Sequence, residues 1–529
     1  MELTVRLAMI ILKLITKILQ PIYWFVNSHR PKQLPAIKNP LLLLSAKELA
    51  KKIRNREISS EAVVKAYIER IIAVNPQINA VIENRFNEAT KEAKICDNNL
   101  DSGVVNIHTL EREQPLYGVP FSVKEACALK GCSFTACTLS RKDEKAPEDG
   151  EAVKLMKLAG AIPLCVTNTP EMCSGFDSSN LIHGSTNNPY DTRRIAGGSS
   201  GGEGALGGAG ATPLGIGSDI AGSIRVPCLF NGLFGHKATS GAVSIRGHYP
   251  MSPSPIFQNY LSTGPMTRYS EDLLIAMKIL SKNYKENLRL DDPVDINKLK
   301  LFYMEKFPNS PGEIPVTHDI RNSIKKAVNF LKKRVASVDS PNMNELKDVY
   351  EISTAMFFCM ADIPRILLNP DDPKNEKNPF IELGKALFGF SQHTKNAILM
   401  GIFKDTKGFL YESRLDYYRE RAAKLQTAFE NMLGTNGVLI VPTYPSPALL
   451  RNQSFLYTPG GSYCILFNIF GFPSTQVPMG LNEQGLPIGF QLIANKNQDR
   501  LCLAVAQELE KEFGGWIAPS SRKTTFFPQ

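Results

Sequence analysis

The chain has 529 residues, of which 43% are hydrophobic and 21% charged, with a net charge of +10. That is the composition of an ordinary globular protein: it excludes extended disorder, and the length allows one to three domains. Part of the positive excess sits at the N-terminus, in Arg6, Lys13, Lys17, Arg30 and Lys32 against Glu2, and the remainder is spread without a basic cluster interleaved with aromatics, so no nucleic-acid partner is expected. Ten cysteines are present, and Cys127, Cys132 and Cys137 sit five apart, which does not match zinc-site spacing. Reduced thiols are expected, with no metal and no cofactor.

The first element is "LTVRLAMIILKLITKILQPIYWFV". On a helical wheel Arg6, Lys13, Lys17 and Gln20 share a narrow arc, while Leu7, Ile11, Leu14, Ile15 and Ile18 cover much of the remainder. Two mid-helix lysines would each cost about 2.5 to 3.5 kcal/mol in a lone span, so a helix lying in the interface competes with a crossing one. Residues 1–29 are read as a membrane anchor of open geometry, ahead of a folded domain over 30–529. The competing reading is a buried amphipathic helix. A signal peptide is disfavoured, because Lys13 and Lys17 break the apolar run and no small-residue cleavage site follows. If the helix crosses, Arg30 and Lys32 beyond it favour a cytosolic body, and the protein is expected to be membrane-associated and intracellular.

Further along, Ser45 and Glu48 form a capping-box pattern, and Ser60 precedes a helical run with Val64, Ile68 and Ile71 on one face. "YGVPFSVKEA" alternates, with Val119, Phe121 and Val123 on one side and Ser122 and Lys124 on the other, as a strand does. "EAVKLMKLA" then reads as a helix and "GAIPLCVTN" as a buried strand. Residues 281–433 change character, with the amphipathic "DIRNSIKKAVNFLKKRVA" and the apolar "PFIELGKALFGFSQHTKNAILMGIF", and are read as an inserted helical cap. Strand-like "GVLIVPTYP" and "GLPIGFQLIA" return before a helix through "DRLCLAVAQELEKEF". The pattern is α/β.

The chemistry concentrates in "GGSSGGEGALGGAGATPLGIGSDIAGSIRVP", from Gly197 to Pro227. Gly197, Ser199 and Gly201 fit a G-x-S-x-G nucleophile elbow, which needs a histidine later in the chain; His236, His248, His318 and His393 are available without a distinctive context. Gly202, Gly204 and Gly207 fit G-x-G-x-x-G, but "PYDTRRIAGG" before them is turn-like and no Gly-Lys-Ser/Thr follows to hold a phosphate. A third use is an anion hole of backbone N–H groups.

"GGSSGG" at Gly197 to Gly202, "GSDIAGSIRVP" at Gly217 to Pro227 and "PFSVKE" around Lys124 together resemble the amidase signature family. "NNPYD", "FGHKAT", "STGPMTR", "FGFPSTQVPMG" and "GLPIGFQLIA" extend the likeness, in order, through most of the chain. The resemblance implies an α/β fold with a large mixed twisted central sheet covered by helices on both faces, residues 281–433 being the inserted helical cap. It implies a catalytic triad of Ser223 as nucleophile, Ser199 as bridging hydroxyl and Lys124 as base. Lys124 can serve so only as a neutral amine, and burial disfavours a lysine's charge. Backbone N–H groups of Ile220, Ala221, Gly222 and Ser223 are expected to form the oxyanion hole, with Asp219, Arg225 and Ser200 in support. Ala221 stands where the family usually has glycine, which bears on rate.

An enzyme on a membrane is best supplied with substrates dissolved there, so the expected partner is a lipid amide, hydrolysed through an acyl-enzyme: N-acylethanolamines or primary fatty-acid amides. The Phe380 to Phe403 stretch is read as an acyl channel, a second membrane contact or plain core. The alternatives are the glutaminase subunit of a tRNA-dependent amidotransferase and a non-catalytic membrane-bound scaffold. Homodimerisation stays open.

Overall fold

A computed structural model describes residues 2–519 apart from 311, 359, 361 and 370. In chain order its main sheet takes β1 (Val81–Asn84), β2 (Pro120–Lys124), β3 (Ile162–Thr167), β4 (Leu214–Asp219), β5 (Phe234–Lys237), β6 (Ser262–Thr267), β7 (Lys300–Tyr303), β8 (Ser337–Asp339), β9 (Gly437–Val441), β10 (Ser474–Leu481) and β11 (Pro487–Ala494). They lie side by side as β1-β3-β2-β4-β6-β5-β10-β11-β9-β7-β8, one mixed sheet of 11 strands. β3, β2 and β4 run parallel to one another, as do β9, β7 and β8, and the other neighbours are antiparallel.

The helices used below are α1 (Leu3–Val26), α2 (Ala46–Arg54), α3 (Ser60–Ile78), α4 (Glu151–Leu158), α5 (Gly201–Gly208), α6 (Arg225–Asn231), α7 (His318–Leu331), α8 (Val349–Phe358), α9 (Pro379–Leu387), α10 (Lys395–Asp405), α11 (Ser462–Ile469) and α12 (Asp499–Phe513). At the start of α2 the capping box closes in both directions between Ser45 and Glu48, and the Asp272 carboxylate adds bonds to the Ala46 and Lys47 N–H groups at 2.9 and 3.0 Å. These bonds satisfy N–H groups that the first turn of the helix leaves without an intrahelical partner. α3 is capped by Ser59, whereas Ser60 is its first residue and turns its hydroxyl to Gly118 O.

Residues 281–433 are mostly helical, with α7 to α10, but they also supply β7 and β8 to one edge of the sheet. Those strands are four and three residues long and half polar, too short for alternation to mark them. The apolar stretch from Phe380 divides in two. Phe380, Ile381, Leu387, Phe388 and Phe390 on and just after α9 are exposed, whereas Leu399, Met400 and Phe403 of α10 line an internal cavity.

Helix α1 is neither buried nor detached. Val5 and Met9 enter a core cluster with Ile352, Phe429 and Leu439, and Arg6 reaches the Glu351 carboxylate of α8 through two bonds of 2.7 and 2.6 Å. Lys13 donates to Glu313 O at 3.1 Å, and Gln20 accepts from Gln453 at 3.1 Å. Three members of the polar arc therefore face the protein, while Leu3, Leu7, Ile11, Leu14, Ile18 and Phe25 point outward. Among the described residues no helix is long and apolar enough to cross a membrane. The orientation argument from Arg30 and Lys32, which presumed a crossing, loses its premise.

Candidate active site

Lys124 ends β2 and Ser218 lies one residue before the end of β4, its parallel neighbour, in a register that sets Ser122 against Gly215 and Val123 against Ile216. Adjacent parallel strands deliver their C-terminal side chains to the same edge of a sheet, the usual place for a site in an open α/β fold. Every residue of β2 is buried, so the Ser122 and Lys124 side chains must find partners inside the protein. Ser122 Oγ donates to Glu203 Oε2 at 2.5 Å. Lys124 Nζ lies 2.6 Å from Ser199 Oγ and 2.9 Å from Ser218 Oγ. Lys124 is 0% exposed and, among the described residues, no carboxylate stands within ion-pair distance of it.

Ser199 sits in the loop before α5, after a cis Gly198–Ser199 peptide bond. Thr169 Oγ1 donates to Ser199 O at 2.9 Å, Ser178 Oγ donates to Gly197 O at 3.0 Å, and the Ser200 N–H donates to Ser223 O at 3.2 Å. The last bond stitches the Ser199 loop to the Ser223 loop, and Ser200 Oγ also contacts the Ser218 backbone. α5 is packed hard behind them: a Cβ on Gly202 would lie 2.5 Å from Asn168 N, which only glycine avoids. Gly202, Gly204 and Gly207 are thus interior residues of a buried helix, not a phosphate-binding loop.

Ser223 lies between β4 and α6, and its side chain, with those of Ser199 and Ser218, lines a cavity of about 210 Å³. The walls are apolar: Phe176, Phe257, Leu261, Phe357, Met400 and Phe403 contribute. Of the four N–H groups expected at the oxyanion, Gly222 is committed to Asp219 Oδ1 at 2.7 Å. Those of Ile220, Ala221 and Ser223 have no backbone partner among the described residues. Ala221 keeps a negative φ and accommodates its Cβ, whereas Gly222 has φ +113°, where a side chain is strained.

Asp219 and Arg225 are both fully buried and pair in a fork, with Nε to Oδ2 at 3.0 Å and Nη2 to Oδ1 at 2.9 Å. Gln491 Oε1 accepts from Nη1, and Asn468 Oδ1 and Cys464 O accept from Nη2. Burial alone would raise the Asp219 pKa, but Arg225 and the N–H groups of Gly222 and Ile224 hold the carboxyl well below the usual carboxylate range. The loop carrying Ser223 is thereby clamped around a permanent carboxylate. Glu203, behind Ser122, is pushed up to about 7 by burial, against the opposing hydrogen bonds from Ser122 and Thr167.

None of the four histidines serves Ser199 as an elbow serine would require. His236 bridges Thr475 and Asp499, His318 is exposed beside Asn322, and His393 contacts Glu171. His248 does reach the site, with Nε2 2.9 Å from Ser218 Oγ and Nδ1 3.0 Å from Pro250 O. Burial pushes its imidazole down to about 3. Nothing local in the sequence marks Ser218 or His248 as a site residue, because their nearness to Lys124 depends on strand order and a distant loop.

The fold and the sequence place the chain in a known class of hydrolase. Residues 62–503 match the amidase family model, and the chain belongs to that family. It is an amide hydrolase. It is similar to fatty-acid amide hydrolase 2-A of Danio rerio, 42% identical over 508 residues that cover 94% of each chain. Fatty-acid amide hydrolase 2 of Homo sapiens is 39% identical, with 91% of each chain covered. Indoleacetamide hydrolase of Bradyrhizobium diazoefficiens is 28% identical over 492 residues, 90% of this chain and 88% of that one. Among solved structures, a fatty acid amide hydrolase superposes with TM-score 0.72 at 24% identity, over 90% of this chain and 86% of that one.

Proposed function

We propose that the chain hydrolyses fatty-acid amides, N-acylethanolamines or primary fatty-acid amides, to a fatty acid and an amine while docked on a membrane. The observation that carries this reading is the 2.6 Å contact of the buried Lys124 Nζ with Ser199 Oγ at the floor of an apolar cavity that Ser223 also lines. Lys124 draws the Ser199 proton as Ser199 takes that of Ser223, and Ser223 Oγ attacks the amide carbon. Negative charge on the carbonyl oxygen is met by the N–H groups of Ile220, Ala221 and Ser223, in a site where each such donor is worth about 10²- to 10³-fold in rate. The proton returns through Ser199 to the departing nitrogen, which leaves as a neutral amine. Water then repeats the sequence on the acyl-enzyme.

The cavity walls support this substrate class. An acyl chain buried among Phe257, Phe357 and Phe403 gains roughly 0.8 kcal/mol per methylene, which a small polar amide such as glutamine does not. The outward apolar face of α1 supports membrane attachment at the surface, the exposed phenylalanines around α9 support a second contact, and the body over 30–529 is the catalytic domain. The test is incubation of the purified protein with phospholipid vesicles carrying a panel of lipid amides, alongside free glutamine, with products read by mass. Release of fatty acid that disappears in Ser223→Ala is expected. Turnover of glutamine without turnover of any lipid amide would select the amidotransferase reading instead.

A further inference from the structure

We propose that His248 is a positioning residue that sets the direction of the hydrogen bonds around Lys124, so that the lysine's lone pair is reserved for Ser199. The proposal rests on the Lys124, Ser199 and Ser223 reading given above.

The direction follows from what each group can do. Pro250 O can only accept, so the His248 hydrogen sits on Nδ1 and Nε2 is left as an acceptor. Ser218 Oγ, 2.9 Å from Nε2, must then give its single hydrogen to the imidazole. Toward Lys124, also 2.9 Å away, the same oxygen can only accept. In the amine form that a base requires, Nζ has two hydrogens and one lone pair. One hydrogen is drawn to Ser218, and the lone pair is left for the hydroxyl of Ser199 at 2.6 Å.

Without an acceptor at position 248 the Ser218 hydroxyl is free to rotate and offer its hydrogen to the same lone pair. Ser199 then competes with Ser218 for the base, and the Ser218-bonded state cannot accept a proton from the nucleophile. Water has little room to restore the order, since Lys124, Ser218 and His248 are 0, 2 and 7% exposed. The backbone holds the ring in place: His248 bridges to Cys127, and the Tyr249 N–H donates to Ala126 O at 2.9 Å, both close after Lys124.

The test is a double-mutant cycle on the full chain, with kcat and KM for a lipid amide measured for wild type, His248→Phe, Ser218→Ala and the pair, and with His248→Gln as the variant that keeps an acceptor. His248→Phe should lower kcat about tenfold, the weight of one competing hydrogen bond, with KM within about twofold. His248→Gln should retain most of the activity. In the Ser218→Ala background, where no competing hydroxyl remains, the change at 248 should cost less than about twofold. Losses that multiply across the cycle, an unchanged kcat in His248→Phe, or a His248→Gln as poor as His248→Phe would each overturn the proposal. If His248→Phe does not fold, His248→Met takes its place in the cycle. Lys124→Ala and Ser223→Ala run in parallel: if they stay active, both the triad and this proposal fall, and if they are dead while the cycle is multiplicative, only this proposal falls.

Discussion

Arg6 Nη2 and Glu351 Oε2 lie 2.6 Å apart, with the two side chains 4 and 0% exposed. Glu351 belongs to α8, whose Tyr350, Ser353, Thr354 and Phe357 line the cavity, so the outward-facing helix α1 and the cavity share a structural member. Removing one partner of a buried pair leaves the other charge uncompensated, typically at a cost of about 3 to 5 kcal/mol. Arg6→Ala should therefore destabilise the protein by that order in a urea melt, and Arg6→Met with Glu351→Leu should recover much of the loss. A single variant within about 0.5 kcal/mol of wild type would contradict a structural role for this pair.

The exposed side of α1 carries Leu7, Ile11, Leu14 and Ile18, none of which packs in the core. Replacing Leu7, Ile11 and Leu14 with serine should abolish flotation with phospholipid vesicles. Hydrolysis of a short, water-soluble amide should be unaffected. Undiminished flotation would move the membrane contact elsewhere, to the exposed residues around α9 first.

In the proposed mechanism Lys124 both removes a proton and returns one to the leaving group. Amines depart poorly unless protonated, whereas alkoxides of esters need less help, so Lys124→Ala should slow amides more than matched esters. The amide loss should fall in the range of about 10²- to 10⁴-fold. Equal losses on both substrates would argue against the acid role.

Glu203 makes stability depend on pH. Burial raises its carboxyl from an ordinary value near 4.3 to about 7 in the folded protein. The native state then holds this proton more tightly than the unfolded chain, so the contribution is full below about pH 4.3 and is lost as pH rises through about 7. The urea midpoint of wild type should drop between pH 5 and pH 8, and Glu203→Gln should reduce that drop. Some slope remains in the variant, because burial also raises Asp272 to about 7. An identical drop in both proteins would mean that Glu203 is not held protonated.

How far the sequence was legible varies with how local each feature is. The Ser45 and Glu48 cap and the strand through Phe121 and Val123 could be read directly, since each depends on residues within a turn or a few positions along a strand. The alternation in "PFSVK" marked the strand but not its surroundings: a Lys on the polar side of such a pattern is usually solvated, and here it is fully enclosed with the hydroxyls of Ser199 and Ser218 as partners. Only the paired serine motifs signalled Lys124. His248 carries no local signal, as its meaning arises when a loop after β5 folds over the ends of β2 and β4. The inward turn of Arg6 was equally hidden, because its partner lies 345 positions away.

The proposed chemistry converges on one hydroxyl, that of Ser223. Treatment with a fluorophosphonate followed by peptide mass spectrometry reads its reactivity directly, in wild type and in Ser199→Ala and Ser223→Ala. The triad predicts a single adduct on the peptide carrying Ser223, slowed in Ser199→Ala and absent in Ser223→Ala. An adduct on Ser199, or labelling of Ser223→Ala at the wild-type rate, would contradict it.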